Sequence, residues 1–319
     1  MAKEEFSVAV DTSKMLDLIG ILKESLKIPL KNLKLMVSVM LLLLIPFSLL
    51  ALNHDLVAGP FLIEIEDQES DSGWNFSTSR VQKDIRILVG LESVYFIAFC
   101  VLIPFTMTAT MYASATTYTG KHLSLMDVCL KIIEIWKRPM ITWLYVLLIT
   151  AVYAFIVVMV FVAFALITNG GTLIAMIGLV SLPAMIFFVY LAAVWMLGLV
   201  ISVVEEDCYG MKAIKKAVYL IKGRKLQGFG LMMVLALLIA PISVLFSLNT
   251  IEDDIEPVVR LAIGAIETVL ASILKLFAFV VYTVFYYECK NSHGGKVEME
   301  DEERCGLVST NLYVNHSLP

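Results

Sequence analysis

Residues 172–204 read TLIAMIGLVSLPAMIFFVYLAAVWMLGLVISVV, a run without one charged residue. Residues 141–168, ITWLYVLLITAVYAFIVVMVFVAFALIT, are equally uncharged, and only Asn169-Gly170-Gly171 separates the two runs. A bilayer core needs about 20 mostly apolar residues per crossing helix. Each run is long enough to span, and the Asn-Gly-Gly triplet reads as the tight turn of a membrane hairpin.

The rest of the chain has the same character. Of its 319 residues, 59% are hydrophobic and 17% charged, and the mean hydropathy is +0.85. Soluble domains sit near about 45–50% and about 25%. A soluble protein of this size cannot hide so much apolar surface, because part of its area always faces water. A soluble enzyme, a nucleic-acid binder and a disordered chain are thereby excluded, and the apolar excess must face lipid. Runs at 33–52, 89–112, 229–248 and 261–287 complete a set of six. The fold expected is an all-α integral membrane protein with six transmembrane helices.

Charge placement sets the expected orientation, and the net charge of −5 does not. Lys27, Lys31 and Lys34 lead into the first run. Lys121, Lys131, Lys137 and Arg138 occupy the second connection, and Lys212, Lys215, Lys216, Lys222, Arg224 and Lys225 the fourth. The first and fifth connections are acidic, with Glu64, Glu66, Asp67, Glu69 and Asp71 in one and Glu252, Asp253, Asp254 and Glu256 in the other. Basic loops stay cytoplasmic, so both termini are expected there. Asn75-Phe76-Ser77 in the acidic first loop is an N-glycosylation sequon on the opposite side, whereas Asn315-His316-Ser317 is expected to stay bare. No cleavable signal peptide is expected, because the first apolar run starts late behind a polar, amphipathic lead. The chain divides into a segment at 1–14, a six-span membrane domain at 15–289 and an acidic tail at 290–319, expected to be disordered.

An internal repeat underlies these runs. An offset of 85 sets Met126-Asp127-Val128 over Met211-Lys212-Ala213, Lys131 over Lys216 and Lys137 over Lys222. An offset of 110 sets Leu16-Asp17-Leu18 over Met126-Asp127-Val128, Lys27 over Lys137 and Pro29 over Pro139. Together they imply an offset of 195, which places Pro46 on Pro241 and Ser48 on Ser243. The spans are thus expected as three pseudo-repeats, each an amphipathic cytoplasmic helix followed by a membrane hairpin. In the second such helix Asp127, Lys131, Glu134 and Arg138 recur at helical spacing beside Leu125, Val128, Cys129, Ile132, Ile133 and Trp136. A helix too short to span but apolar on one face suits the interface plane; the alternative is a helix packed on the bundle.

This layout, with a Lys-x-Pro or Trp-Lys-Arg-Pro turn after the short helix, resembles the membrane domain attached to some glycerophosphoryl diester phosphodiesterases. It is also similar to a group of uncharacterised plant multi-pass proteins of about this length. The resemblance covers roughly residues 15 to 290 and implies an endomembrane or plasma-membrane setting. The catalytic barrel of the phosphodiesterases has no counterpart, so their activity is not implied.

Catalytic constellations are missing from the sequence. His54, His122, His293 and His316 are scattered, and no phosphate loop, nucleophile elbow or HExxH motif occurs. No enzyme activity, metal or cofactor is expected. Ionisable residues inside spans are costly and face a cavity or a partner; these are Lys275 and Glu267 in the last run and Glu92 in the second. Lys275 and Glu267 are about 12 Å apart along a helix axis, so each is expected to meet a different group. Thr106, Thr108, Thr110, Ser114, Thr116 and Thr117 either line a channel or pack helices closely. The cysteines avoid the loops expected to face the oxidising side, and Cys208 and Cys289, at membrane ends, are candidates for reversible acylation.

Two functions remain open. One is a non-enzymatic membrane organiser or adaptor that contacts anionic lipid through its interfacial helices. Its candidate residues are Lys212, Lys215, Lys216, Lys222, Arg224 and Lys225, with Met211, Ala213, Ile214, Ala217, Val218, Leu220 and Ile221 as the apolar side. The other is a small-solute transporter or channel using the bundle interior. Membrane lipids are the expected partners, with a homo-oligomer or another membrane protein possible and no nucleic acid. A water-accessible cavity containing Lys275 would favour the transporter, and a closed apolar interior the organiser.

Overall fold

The computed structural model of the chain describes residues 16–54, 56–58, 79–121, 124–167, 170–251 and 257–293. Among these the structure is helical, without strands: α1 (Leu18–Lys31), α2 (Leu33–Ala58), α3 (Ser79–Tyr118), α4 (Leu125–Ile135), α5 (Lys137–Ile167), α6 (Gly170–Val204), α7 (Met211–Ile221), α8 (Lys225–Ile251) and α9 (Pro257–Ser292). Six of them, α2, α3, α5, α6, α8 and α9, are long and apolar enough to cross a membrane. The acidic first and fifth loops, Asn75, the segment 1–14 and the tail from 294 onward lie outside the described residues.

The crossing helices outrun the apolar stretches that announce them. The run at 89–112 becomes a helix from Ser79 to Tyr118 that includes Lys83 and Arg86. Hydropathy falls where a helix leaves hydrocarbon, but its backbone bonds continue into the headgroup layer. In α2 one turn at Met40–Leu44 widens, and the N–H of Ile45 reaches back to the carbonyl of Met40. Pro46 follows at once. It has no N–H and its ring crowds the carbonyl four residues back, and a widened turn accommodates both.

Outward surfaces are apolar along the spans. On α5 alone Leu144, Leu148, Val152, Phe155, Ile156 and Met159 are exposed. That pattern is stable only against lipid.

The core sits at the basic end of the bundle. Its axis is the second half of α9, where Val280, Val281, Tyr282, Val284, Phe285 and Tyr286 are fully buried. Leu197, Val200 and Ile201 of α6 join it. The short helices close around this axis through residues three and four apart, which share a face. These are Ile21, Ser25 and Ile28 of α1, Val128, Ile132 and Ile135 of α4, and Ala213, Ile214, Ala217, Leu220 and Ile221 of α7. Burying such aliphatic side chains is worth about 1.5–3 kcal/mol each, enough to dock helices too short to be stable alone. The apolar face of α7 therefore packs on the bundle, and of the side expected to enter lipid only Met211 and Val218 stay exposed.

Polar anchors fix these docked helices. Gly210, with φ +62°, turns the chain into α7, and its N–H donates to Thr142 Oγ1 of α5 at 2.7 Å. Glu205, just after α6, pairs with Lys216 at 2.9 Å and accepts from the Tyr286 hydroxyl at 2.7 Å. At the centre Arg224 Nη1 meets Glu288 Oε2 at 3.4 Å, while Arg224 Nη2 donates to the Leu16 carbonyl at 3.2 Å. The Leu16 N–H donates to the same Glu288 oxygen at 3.2 Å. This triangle ties the start of the described chain to the start of α8 and the end of α9, and both charged side chains are buried.

Ser124 and Asp127 open α4 with a reciprocal cap. Asp127 Oδ2 accepts the Ser124 N–H at 2.9 Å, and Ser124 Oγ accepts the Asp127 N–H at 3.3 Å. The bond from the Ser124 backbone holds the Asp127 carboxyl below the usual carboxylate range. The cap's contribution is therefore present above that range and is lost as pH falls through the depressed value.

Two outcomes are expected. Breaking a buried pair from one side leaves an unpaired buried charge, so Arg224→Met or Glu288→Leu alone should cost about 3–5 kcal/mol, and the double variant should regain most of it. Thermal unfolding in detergent, read by thiol dye reaching the buried Cys208 and Cys289, checks this; equal losses in single and double variants would count against the pair. Ser124→Ala should speed hydrogen exchange at the first-turn amides of α4, by about 1 kcal/mol of protection, leaving α9 unchanged. Acidification below about pH 4 should loosen the same turn in the unmutated protein.

Candidate functional site

Within α9, Glu267 and Lys275 are eight residues apart. At 3.6 residues per turn they stand about 80° apart around the helix and about 12 Å apart along its axis, so one broad face carries both. That side faces α2 and α8. Between the three helices lies a cleft of about 420 Å³ lined by Ser48, Leu52, Ile239, Ile242, Glu267, Thr268, Leu274 and Lys275, among others. The walls are mainly aliphatic, and the polar groups come from α9 and from Ser48. At its edge Gly264 lets α2 approach, since a Cβ there would stand 3.0 Å from Leu52 Cδ2.

Lys275 Nζ donates to Ser48 Oγ at 3.0 Å and sits over the Phe47 ring at 4.6 Å from its centroid. Ser48 shares a 3.1 Å hydrogen bond with Ser272, whose hydroxyl also donates to the Thr268 carbonyl at 2.8 Å. Among the described residues no carboxylate lies within ion-pair distance of Lys275. Glu267 is 1% exposed, and neither of its carboxyl oxygens has a hydrogen-bond partner among the described residues. Buried polar groups are nearly always bonded, so an unpartnered carboxyl lining a cleft is a candidate binding group.

Glu92 lies apart from this cleft. On α3 it meets His54 Nε2 at 3.1 Å, and the His54 ring stands edge-on to Tyr95 at 4.9 Å, joining the far ends of α2 and α3. Nor does the hydroxyl-rich stretch of α3 form a lined path. Thr108, Thr110, Ser114 and Thr117 are buried and donate to carbonyls four residues back on their own helix. With their hydroxyls closed on the backbone, they present methyl and methylene groups to neighbouring helices.

The six basic lipid-contact candidates divide. Lys212, Lys215, Lys222 and Lys225 are exposed at the basic end. Lys216 is committed to Glu205. Arg224 does not belong with them: it is buried and its guanidinium is spent on Glu288 and Leu16, so it cannot reach a leaflet. The acylation candidates are corrected too. Cys208 and Cys289 are buried in the core cluster, and a thiol so placed presents no sulfur to an acyl donor unless the packing opens.

Ser48, Phe47 and the cleft itself escaped sequence reasoning. A hydroxyl two residues after a span proline was the available signal, since Ser48 shares its place in the repeat with Ser243. Among the described residues no group of three or more His, Cys, Asp or Glu side chains could hold a metal ion.

No curated protein and no solved structure matches the chain. One family model covers residues 8–303, which take in every helix among the described residues. The chain belongs to that family, described as a domain of unknown function, DUF8558.

Proposed function

We propose that this multi-pass membrane protein is a non-enzymatic carrier for a small solute, which it receives in the cleft between α2, α8 and α9. One observation carries the reading: a cavity inside the spanning region is lined by Lys275 and by the unpartnered Glu267. Ionisable groups at membrane depth mark substrate paths, and a pocket of a few hundred Å³ with aliphatic walls and few polar groups is the usual form of a ligand site. Pro46 and Pro241 lie beside the cleft on two of its three helices, where each removes a backbone donor.

The wider architecture belongs to this proposal. The helices follow one another as short, long, long, three times over, which supports three pseudo-repeats of an amphipathic helix and a hairpin. The basic connections support cytoplasmic termini in an endomembrane or plasma membrane, with Asn75 glycosylated on the far side.

A second reading is favoured by one pattern. After docking, α1 keeps Ile19, Leu26 and Leu30 exposed at 75%, 59% and 72%, and α4 keeps Met126, Leu130 and Ile133 exposed. Lys23 and Lys27 flank the first stripe, and Lys31 and Lys121 line a hollow of about 280 Å³ with Asn32, Thr117 and Gly120. Such helices rest in the headgroup layer, apolar edge in the acyl boundary and lysines toward anionic lipid. The organiser reading thus rests on α1 and α4 more than on α7.

Both readings are testable. Ala271 also lines the cleft, so Ala271→Cys, with Cys100, Cys129 and Cys305 changed to Ser, should react with a membrane-impermeant thiosulfonate in sealed vesicles, while Leu148→Cys on the lipid face of α5 should not. An inert Ala271→Cys would remove the support for a carrier. A nitroxide on Leu26→Cys should be relaxed more by oxygen than by a soluble nickel chelate; the reverse would place α1 in water and end the lipid reading.

A further inference from the structure

We infer that the cleft binds a zwitterion, with its cationic group on Glu267 and its anionic group on Lys275. This rests on the cleft being open to solutes, as proposed above, and it names the class of solute.

Charge balance at membrane depth decides the class of occupant. The cleft holds one acidic and one basic side chain, so its own net charge is zero. Neither is ion-paired among the described residues, and their spacing along α9 keeps them from pairing with each other. A lone anion on Lys275 would leave Glu267 without a partner, and a lone cation on Glu267 would leave the Lys275 ammonium, bonded only to Ser48, without a counter-charge. Either would also bring an uncompensated charge into an aliphatic pocket, which is strongly unfavourable. An occupant with both charges satisfies both ends and adds none. The empty site has no net charge of its own, and a zwitterion keeps it so while giving each charge a counter-charge.

The walls set the middle of the ligand. Leu52, Ile239, Ile242 and Leu274 lie around the cleft, so the segment joining the charges should be apolar. The bond to Ser48, itself bonded to Ser272, draws the Lys275 ammonium about one turn toward Glu267. Three residues are about 4.5 Å of rise, which leaves roughly 7 Å between the charged ends along the axis. That is the span of an amine and an acid separated by a short methylene chain. A divalent cation is a poorer occupant, because Glu267 is the only carboxylate lining the cleft among the described residues. The zwitterion is either a free solute or the headgroup of a lipid entering from the side.

The full-length protein in a non-ionic maltoside should be stabilised against heat by 6-aminohexanoate, and less by hexanoate or hexylamine at equal concentration. The effect should fall for 4-aminobutanoate, and 6-aminohexanoate should slow labelling of Ala271→Cys several-fold. In Lys275→Met the amino acid should do no better than hexylamine, and in Glu267→Gln no better than hexanoate. Both replacements remove a costly buried charge, and the double variant Glu267→Gln/Lys275→Met, neutral as a pair, should fold and show no response. A lysophosphatidylethanolamine that stabilises far below the concentration needed for phosphoethanolamine would assign the zwitterion to a lipid; equal potency would assign it to a free solute. The inference is overturned if hexanoate or hexylamine matches 6-aminohexanoate, if the response survives in the double variant, or if no zwitterion stabilises the protein. Should Ala271→Cys label normally while every zwitterion fails, the ligand class is wrong and the cleft stands; should it not label at all, the carrier reading falls first.

Discussion

Arg224 and Glu288 hold each other in the core of the basic end, and the arrangement of the other helices there follows from that contact. A buried carboxylate at the end of α9 needs donors, and it finds them in the guanidinium at the start of α8 and the N–H of Leu16. The same guanidinium occupies the Leu16 carbonyl. The polypeptide ahead of α1 is thus bound to residues more than two hundred positions away, and α1 is laid against α9 in one register. With α1, α4 and α7 all drawn around the second half of α9, the basic end becomes dense. Around the first half of α9, beyond Lys275, no short helix is docked among the described residues. The cleft opens there.

Two economies of hydrogen bonding separate the ends. In α3 the hydroxyls return their protons to the backbone of the same helix, a bond that costs little and leaves a smooth surface for packing. Around Lys275 the hydroxyls do something else. Ser48 bonds across to α9, and through it the ammonium is joined to Ser272 and the Thr268 carbonyl. The chain of donors and acceptors ends at that carbonyl, one residue from Glu267 and without a bond to its carboxyl. Lys275 is hydrogen-bonded from α2 but has no counter-charge among the described residues, and Glu267 has neither bond nor counter-charge.

Much of this was legible in the residues and some was not, for reasons of physics. The six spans show because hydrocarbon imposes a length and an apolar threshold that few soluble segments meet. Their true ends do not show, because α3 and α9 continue through charged residues that the headgroup layer tolerates. Amphipathy marks α1, α4 and α7 as helices with an inner face, but the pattern cannot distinguish lipid from protein as what covers that face. Hence Ile214 and Ile221, readable as lipid-facing, pack on the bundle. Arg224 misleads similarly: a cation among five lysines looks like one more topological charge, and only the third dimension supplies Glu288. Glu267 and Lys275 stand out for their depth, and their spacing excludes their pairing, but a cleft is made by three helices and no single one encodes it.

The family model spans 8–303 and so covers both the dense end and the cleft. The two are mechanically linked through α9, which is one unbroken helix from Pro257 to Ser292. Its second half is held by fully buried side chains such as Tyr282, Phe285 and Tyr286, while α2 and α8, which complete the cleft, carry Pro46 and Pro241 on either side of it. A helix bends most readily where a backbone bond is already missing. Motion that opens or closes the cleft is therefore expected in the outer halves of α2 and α8, against α9 held fixed by Arg224. On that arrangement Lys275 and Glu267 keep their spacing on a rigid rail, and what changes is the distance of Ser48 and Ile242 from them. An occupant that bonds to α9 would be gripped or released without the two charges of the site ever moving apart.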